Sequence, residues 1–443
     1  MSRPIIVGNT KYDNFAAART IGIPIRIIPF SPFSPFWSLV DRKVALFLGR
    51  FPYIRQNAIT RYNWRGWDIE DRWQSHYEMG DVFVLVTPQY NIVQPNNPQA
   101  ITSSWKMQRR VATRCFNEAN HEIVWSETLG LADDMLRYWS SRRYIKSSAD
   151  DIRTLTLDVL ARSGFGKSFK FRSHEEKKSA DEVRSMSYRE SVGLILENCI
   201  VILALGPKTL AFLARYWLPA RLKTINNAVN SDNNLMTLLV RASQEAASEG
   251  LQGLTESEIY GDMFTFNFAG HDTTAHSSTF ALYFLAANPD VQDWVSEEMQ
   301  CRCLPVLYET LRLYTIVPAI KWTGDRATTL TAGNRTLDLP PKTILMPSYA
   351  SMHTDPKYWG PDSLQQRPSR WIKPGLAGRP SHEEIDMNER GVILGWSEGT
   401  RDCPGKKFSQ VEFVALMVGL FRRWRVDPVK HHPARAPLAW RKA

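Results

Sequence analysis

Between Glu256 and Ala287 apolar residues recur on every side of a helical projection, a pattern that fits only a helix sunk in the core of a large protein. At the standard rise it would be about 48 Å long. Thr255 opens it with a capping box, T-E-S-E, in which Glu258 stands three residues on, and Asn288-Pro289 stops it. Gly270 falls in mid-helix, where glycine costs about 1 kcal/mol relative to alanine, so something is expected to approach the backbone there. The period changes to two in Asp81 to Thr87 and Tyr90 to Gln94, which alternate around Pro88-Gln89 and predict a β-hairpin. Arg335 to Leu339 and Thr343 to Pro347, separated by a proline pair, predict a second small sheet. Helical spacing of basic and apolar residues runs from Trp105 to about Arg114, and polar, helix-compatible stretches without evident chemistry fill 120 to 250. The pattern as a whole is mainly α with small β-sheets.

The aromatic, proline-rich N-terminal region, residues 1–79, has a different texture. Its longest uncharged run, Ile27 to Val40, has 14 residues broken by Pro29, Pro32 and Pro35, too short and too interrupted to cross a bilayer. No transmembrane anchor and no secretory signal is expected. The P-F-S repeat sets Phe30, Phe33 and Phe36 on an extended segment ahead of Trp37. Two readings stay open for these rings, a peripheral dip into a membrane interface or packing on the body.

Composition sharpens this picture at three points. With 43% hydrophobic residues and 15 Trp among 443, the chain can bury a large core and enclose a flat apolar cofactor, which excludes disorder. A formal charge of +10 suits an anionic membrane surface or an acidic protein partner. Nucleic acid is discounted, since nothing interleaves aromatic and basic residues. Cysteines at 115, 199, 301, 303 and 403 form no disulfide framework, and Cys301-x-Cys303 lacks the companions of a zinc site, so the chain reads as facing the cytosol.

Candidate chemistry centres on Trp396 to Gly405, W-S-E-G-T-R-D-C-P-G, which presents one cysteine in a glycine-bounded turn with Arg401 two residues before it. Positive-φ freedom at Gly399 and Gly405 would let this backbone approach a flat macrocycle, and a cysteine so placed can offer a thiolate to haem iron. Cys403 is the candidate axial ligand and the only metal ligand proposed. Upstream lie R-P-S-R-W at Arg367 to Trp371, L-Y-E-T-L-R at Leu307 to Arg312, A-G-H-D-T-T at Ala269 to Thr274, and W-K-M-Q-R at Trp105 to Arg109. None of these is specific alone, and an exposed Glu309–Arg312 pair would be worth almost nothing.

In chain order, however, these segments form the ordered signature WxxxR, AGxDTT, ExxR, PxRW and glycine-flanked cysteine, and the chain resembles the cytochrome P450 superfamily, most closely filamentous-fungal members of secondary metabolism. The resemblance runs from about residue 80 to about residue 425. It implies the cytochrome P450 fold, with haem between the long central helix and the cysteine-bearing loop, in a single catalytic domain over 80–443. By resemblance, Asp272 and Thr273 are the acid and alcohol that deliver protons during oxygen activation. Arg109, Arg401 and the Trp105 indole would hold the haem propionates, with Lys321 a further candidate, and Gly270, Gly399 and Gly405 would allow the haem's close approach. Glu309, Arg312 and Arg370 look like a structural ion-pair cluster. The implied cofactors are haem b and, through a reductase, NADPH. An acidic flavoprotein reductase is expected at Lys406 and Lys407, an apolar small molecule as substrate, and the cytosolic face of the endoplasmic reticulum as location.

The sequence also departs from that family. Only P-Q-A-I-T-S-S separates Asn97 from Trp105, E-E-M-Q runs straight into C-R-C-L-P before the ExxR segment near residues 299–304, and the tail after Val426 is short. These contractions spare the haem-binding motifs and remove segments that cover substrate. Two functional readings remain: a haem-thiolate monooxygenase inserting one oxygen atom of O2 into an apolar metabolite, and a haem-binding, catalytically weak remnant or truncated product.

Overall fold

The computed structural model describes residues 11–32, 34–51, 57–64, 66–96, 117–165, 168–176, 256–317, 320–332, 334–373, 383–386, 393–397, 402–429 and 438–442. Its N-terminal elements are α1 (Lys11–Thr20), β1 (Ile25–Ile27), α2 (Pro35–Leu48), α3 (Ala58–Tyr62), α4 (Trp67–Asp71), α5 (Gln74–Met79), β2 (Val82–Val86) and β3 (Asn91–Pro95). Next come α6 (Glu118–Ser140), α7 (Ser148–Phe165), α8 (Glu256–Ala287), α9 (Pro289–Glu297) and α10 (Met299–Leu313). The strands β4 (Lys321–Trp322), β5 (Thr328–Ala332), β6 (Arg335–Leu339) and β7 (Thr343–Leu345) precede α11 (Tyr349–Met352) and α12 (Pro356–Trp359). A 3-10 turn (Pro368–Trp371), β8 (Ile372–Lys373), β9 (Glu384–Ile385), α13 (Lys406–Phe421), β10 (Trp424–Pro428) and β11 (Leu438–Lys442) complete the order. No helix among the described residues is long and apolar enough to cross a membrane.

Two compact units divide the chain. The first comprises Met1–Ser104, Tyr308–Arg367 and Asp386–Asp402. Its sheet has the order β1-β2-β3-β7-β4, with the predicted hairpin at the centre, Val84 opposite Val93. Alternation was expected in that hairpin, yet every residue of β2 and β3 is buried. The reason is that both faces are covered: Val82, Val84, Val86 and Val93 pack with Ala18, Ile21 and Leu337, while Phe83, Leu85 and Ile92 pack with Ile28, Tyr62 and Trp67. A strand buried on both faces reads as a continuous apolar run.

The expected second sheet is corrected in its pairing. β6 pairs antiparallel with β5, not with the strand after it, and β7 instead joins the first sheet parallel to β3. Pro340-Pro341 lack the amide donors of a tight hairpin, and Lys342 turns the chain at φ 59 before donating its N–H to Gly324 O at 2.8 Å. Trp37 packs on the body: it is buried, stacks on Phe30 at 4.1 Å between centroids, and donates its indole N–H to Asn63 O at 2.6 Å. Phe33 lies outside the described residues. The N-terminal region contributes a strand to the first sheet, since β1 pairs in parallel with β2.

The second unit comprises Trp105–Leu307, Pro368–Ile385 and Cys403–Ala443, and is mostly helical. The predicted central helix is α8, with the bounds read from the sequence. It packs against α7, α9, α13 and β10. Pro289 ends it and also begins α9 at a position where proline's missing donor costs nothing. Gln292 ties that corner to β10 by donating to Leu285 O and Val426 O at 2.7 and 2.8 Å while accepting from Val426 N at 3.1 Å. Glu298 alone separates α9 from α10. The capping residue Thr255 lies outside the described residues.

Candidate functional site

Cys403 sits in an exposed turn directly ahead of α13, with Lys406 N donating to its carbonyl at 3.3 Å and Ser409 N donating to Gly405 O at 2.9 Å to close the first helical turn. A cysteine at a helix N-terminus lies at the positive end of the helix dipole, which favours its thiolate. The expected positive φ at Gly405 is not found: this residue is the N-cap of α13 at φ −85, ψ 12. Among the described residues of the segment, Ser397 is left-handed, at φ 60. Gly399 and Arg401 lie outside the described residues, as do Trp105 and Arg109.

The other two described cysteines contrast with Cys403. Cys303 is buried, and burial pushes its thiol up to about 12. Cys301 Sγ donates to Glu383 O at 3.2 Å, and burial again raises its pKa. Among the described residues no group of His, Cys, Asp and Glu could hold a metal ion. A single-cysteine ligand to a macrocycle's iron needs no such group.

On α8, Thr273 Oγ1 donates to Ala269 O at 2.7 Å, and Asp272 Oδ1 accepts from Arg153 Nε of α7 at 2.9 Å. His276, one turn on, sets Nδ1 2.6 Å from Asp272 O and 3.5 Å from Asp272 Oδ1. Asp150 lies 3.6 Å from Arg153, so the acid of A-G-H-D-T-T is held in a partly solvated chain of alternating charge. Arg153 and His276 were missed in the sequence. Arg153 stands 119 residues before its partner in a polar stretch with no motif, and His276 has only its helical spacing to mark it.

Gly270 has a specific neighbour. A Cβ there would meet Leu160 Cδ1 of α7 at 3.1 Å, so the close approach inferred from the glycine is made by a packed helix. Among the described residues of α8, Thr265 and Ala269 are exposed one turn apart. Exposed Thr265 and Ala269 on α8 and an exposed Cys403 in the same unit are chemically compatible with a flat apolar group ligated by one cysteine. Lys321 lies half-buried in β4, in the first unit.

The ExxR pair is wholly buried rather than solvated. Arg312 donates to both carboxylate oxygens of Glu309 at 2.7 and 2.9 Å, and further to the carbonyls of His353, Ser363 and Gln365, while Glu309 accepts from Arg367 N at 2.9 Å. Breaking such a pair leaves a bare buried charge and typically costs about 3–5 kcal/mol. His353, also missed, completes the group. Its Nε2 accepts from Leu394 N at 3.0 Å, so its Nδ1 carries the proton shared with Thr315 Oγ1 at 2.9 Å. Burial, with Arg312 nearby, lowers its pKa to about 3 and keeps it neutral. Arg370, in the second unit, is buried in the 3-10 turn.

Behind the cysteine turn, Lys406 and Lys407 are exposed, and Lys407 pairs with Glu118 at the start of α6.

A family model described as Cytochrome P450 matches residues 90–302 and 305–440. A cytochrome P450 monooxygenase of Arthrobotrys oligospora is 24% identical over 555 aligned positions, covering 96% of this chain and 93% of the relative. At least 112 of those positions are gaps opposite this 443-residue chain. The phomenoic acid biosynthesis cluster cytochrome P450 monooxygenase of Leptosphaeria maculans is 24% identical, over 75% of this chain and 68% of its own length. Among solved structures, a crystal structure of a cytochrome P450 superposes with a TM-score of 0.59 at 16% identity, covering 85% of this chain and 94% of the other, a likeness of fold alone.

Proposed function

The chain belongs to the cytochrome P450 family, and from that premise we propose that it is a haem-thiolate monooxygenase inserting one oxygen atom of O2 into an apolar small molecule of secondary metabolism, with electrons passed from NADPH by a reductase. The observation that carries this reading is Cys403, exposed in the turn that begins α13 rather than buried and inert like Cys303. Haem b, when bound, supplies the iron at which dioxygen is activated. Cys403 would hold its iron through the thiolate. Trp105, Arg109, Arg401 and Lys321 are assigned to its propionates, and Gly399 and Gly405 to clearance around it. Gly270 serves that clearance only indirectly, by letting α7 seat α8 closely.

Asp272 and Thr273 move the proton that O–O cleavage requires. The Thr273 hydroxyl hydrogen, directed at Ala269 O, must rotate away to be donated, and Asp272, steadied by Arg153, would replace it with a proton taken up from solvent. The acidic flavoprotein surface of the reductase is assigned to Lys406 and Lys407, in competition with Glu118. A peripheral membrane contact on the cytosolic face of the endoplasmic reticulum is supported by α2, where Leu46 and Phe47 are 65% and 57% exposed beside exposed Arg42, Lys43 and Arg50.

The second reading, a haem-binding remnant of low turnover, is supported by the break in the family match between 302 and 305 and by the gaps opposite the Arthrobotrys relative. Transcript sequence across 97–105 and 299–304 separates a contracted protein from an altered reading frame. The test of the leading reading is spectroscopic. The reduced protein is expected to bind carbon monoxide with the red-shifted Soret band of thiolate ligation, Cys403→Ser to lose that band and Cys403→Ala to lose most haem. An unchanged spectrum in either variant overturns the assignment.

A further inference from the structure

Behind the cysteine turn, α6 and α13 enclose three buried polar side chains whose atoms have no hydrogen-bond partner among the described residues: both carboxyl oxygens of Glu412, both ring nitrogens of His121 and the hydroxyl of Thr128. Their placement is set by two contacts that fix the helices as parallel. Lys407 meets Glu118 near the N-termini, and Gly419 meets Ala132 further along, so close that a Cβ on Gly419 would stand 2.7 Å from the Ala132 methyl.

At 3.6 residues per turn, Glu412, seven residues before Gly419, returns to within about 20° of the side that touches α6. On α6, Thr128 and His121 lie four and eleven residues before Ala132, within about 40° and 20° of the side that touches α13. Along the axis, Glu412 is level with a point midway between His121 and Thr128. The three groups therefore face one seam. They do not reach one another, and the nearest charged neighbour of His121, Glu118, is 3.6 Å away, longer than a full hydrogen bond.

We propose that the seam between α6 and α13 is a sealed binding site for ordered water that bridges Glu412 to Thr128 and His121. Buried polar groups in native proteins are hydrogen-bonded, and an interior water takes two to four partners, which this set of hydroxyl, imidazole and carboxyl groups provides. A carboxylate with no cation in contact is unfavourable at zero exposure, and burial raises the Glu412 pKa well above the carboxylate range. Glu412 is therefore the neutral acid: its O–H donates to the water, and the water bridges on to Thr128 Oγ1 and to the His121 ring. This site lies nine residues beyond Cys403 on the helix that the cysteine turn begins, and it stands whether or not the oxygenase reading holds.

Infrared difference spectroscopy on the purified full-length protein tests it. A carbonyl-stretch band of a protonated carboxylic acid, at the lowered frequency of a hydrogen-bonded acid, is expected in the wild type near neutral pH and absent from Glu412→Gln, whose melting temperature should match or exceed the wild type. Thr128→Val, which removes one partner of the water, is expected to move that band without abolishing it. If Glu412→Gln does not fold, the same band is sought as an isotope shift in protein labelled with carboxyl-13C glutamate. A carboxylate band alone, a lowered melting temperature for Glu412→Gln, or an acid band at the frequency of an isolated carbonyl and indifferent to Thr128→Val each overturns the proposal.

Discussion

The buried imidazole of His353 receives one backbone N–H and returns one proton to Thr315, and so it has a sharp preference for the neutral state. Its folded pKa of about 3 lies below the ordinary 6.5, so the stability it contributes is complete above pH 6.5 and lost as the pH falls toward 3. The loss is at most about 1.4 kcal/mol per pH unit in that window. Replacing it with asparagine, which keeps one donor and one acceptor but cannot gain charge, is expected to lower stability at neutral pH and flatten the acid limb between pH 6.5 and 4 in thermal melts. An acid limb as steep as the wild type's would assign the pH dependence to other groups. For Thr273, alanine is expected to keep haem and divert NADPH electrons into hydrogen peroxide, with coupled turnover falling by about 10²–10⁴. Unchanged coupling of NADPH oxidation to product would leave the hydroxyl with only its bond to Ala269 O. Legibility at this scale followed sequence locality. The Glu309–Arg312 pair was legible because its partners stand three residues apart on one helix, and Cys403 and Asp272 were singled out by local motifs alone. Arg153 and His353 were not, because their partners come from distant elements and neither carries a local signal.

At the scale of elements, the bounds of α8 and the two central strands were legible because an apolar run closed by a proline, or by a turn, marks both ends of an element. Strand partnership was not. β6 and β7 are adjacent in sequence but belong to different sheets, a choice made by Pro340-Pro341 and by which apolar faces remained uncovered. Helix contacts were equally hidden. Gly419, in the last turn of an apolar helix, is explained by Ala132 on α6, which a Cβ would meet at 2.7 Å. Alanine at this position would gain about 1 kcal/mol of helix propensity and lose about 1–3 kcal/mol to overpacking. Gly419→Ala is therefore expected to be net destabilising in chemical denaturation, and Ala132→Gly in the same chain to recover part of the loss. Two additive single effects would show that the helices part without strain.

For the whole molecule, we propose that the chain keeps the motifs assigned to haem and is shortened in segments that would cover substrate. From Asn97 to Trp105 the chain has few residues, and an extended chain spans at most about 3.6 Å per residue, which supports the proposal that this stretch builds no full roof over an apolar substrate. The proposal of a second shortened connection rests on the family match interrupted between 302 and 305 and on α10 following α9 with Glu298 alone between them. Water should then reach the haem face that a substrate would normally dry. The expected consequences are a resting spectrum that stays low-spin, weak and unselective binding of apolar ligands, and electrons lost to peroxide. Grafting the corresponding segment of a longer relative between Asn97 and Trp105 should tighten ligand binding and raise the fraction that shifts to high spin. It should leave the thiolate carbon monoxide band in place, since Cys403 and its turn are untouched. A native chain that gives a full spin shift with a micromolar ligand and turns that ligand over would show that another part of the chain closes the pocket, and the remnant reading would fall with it.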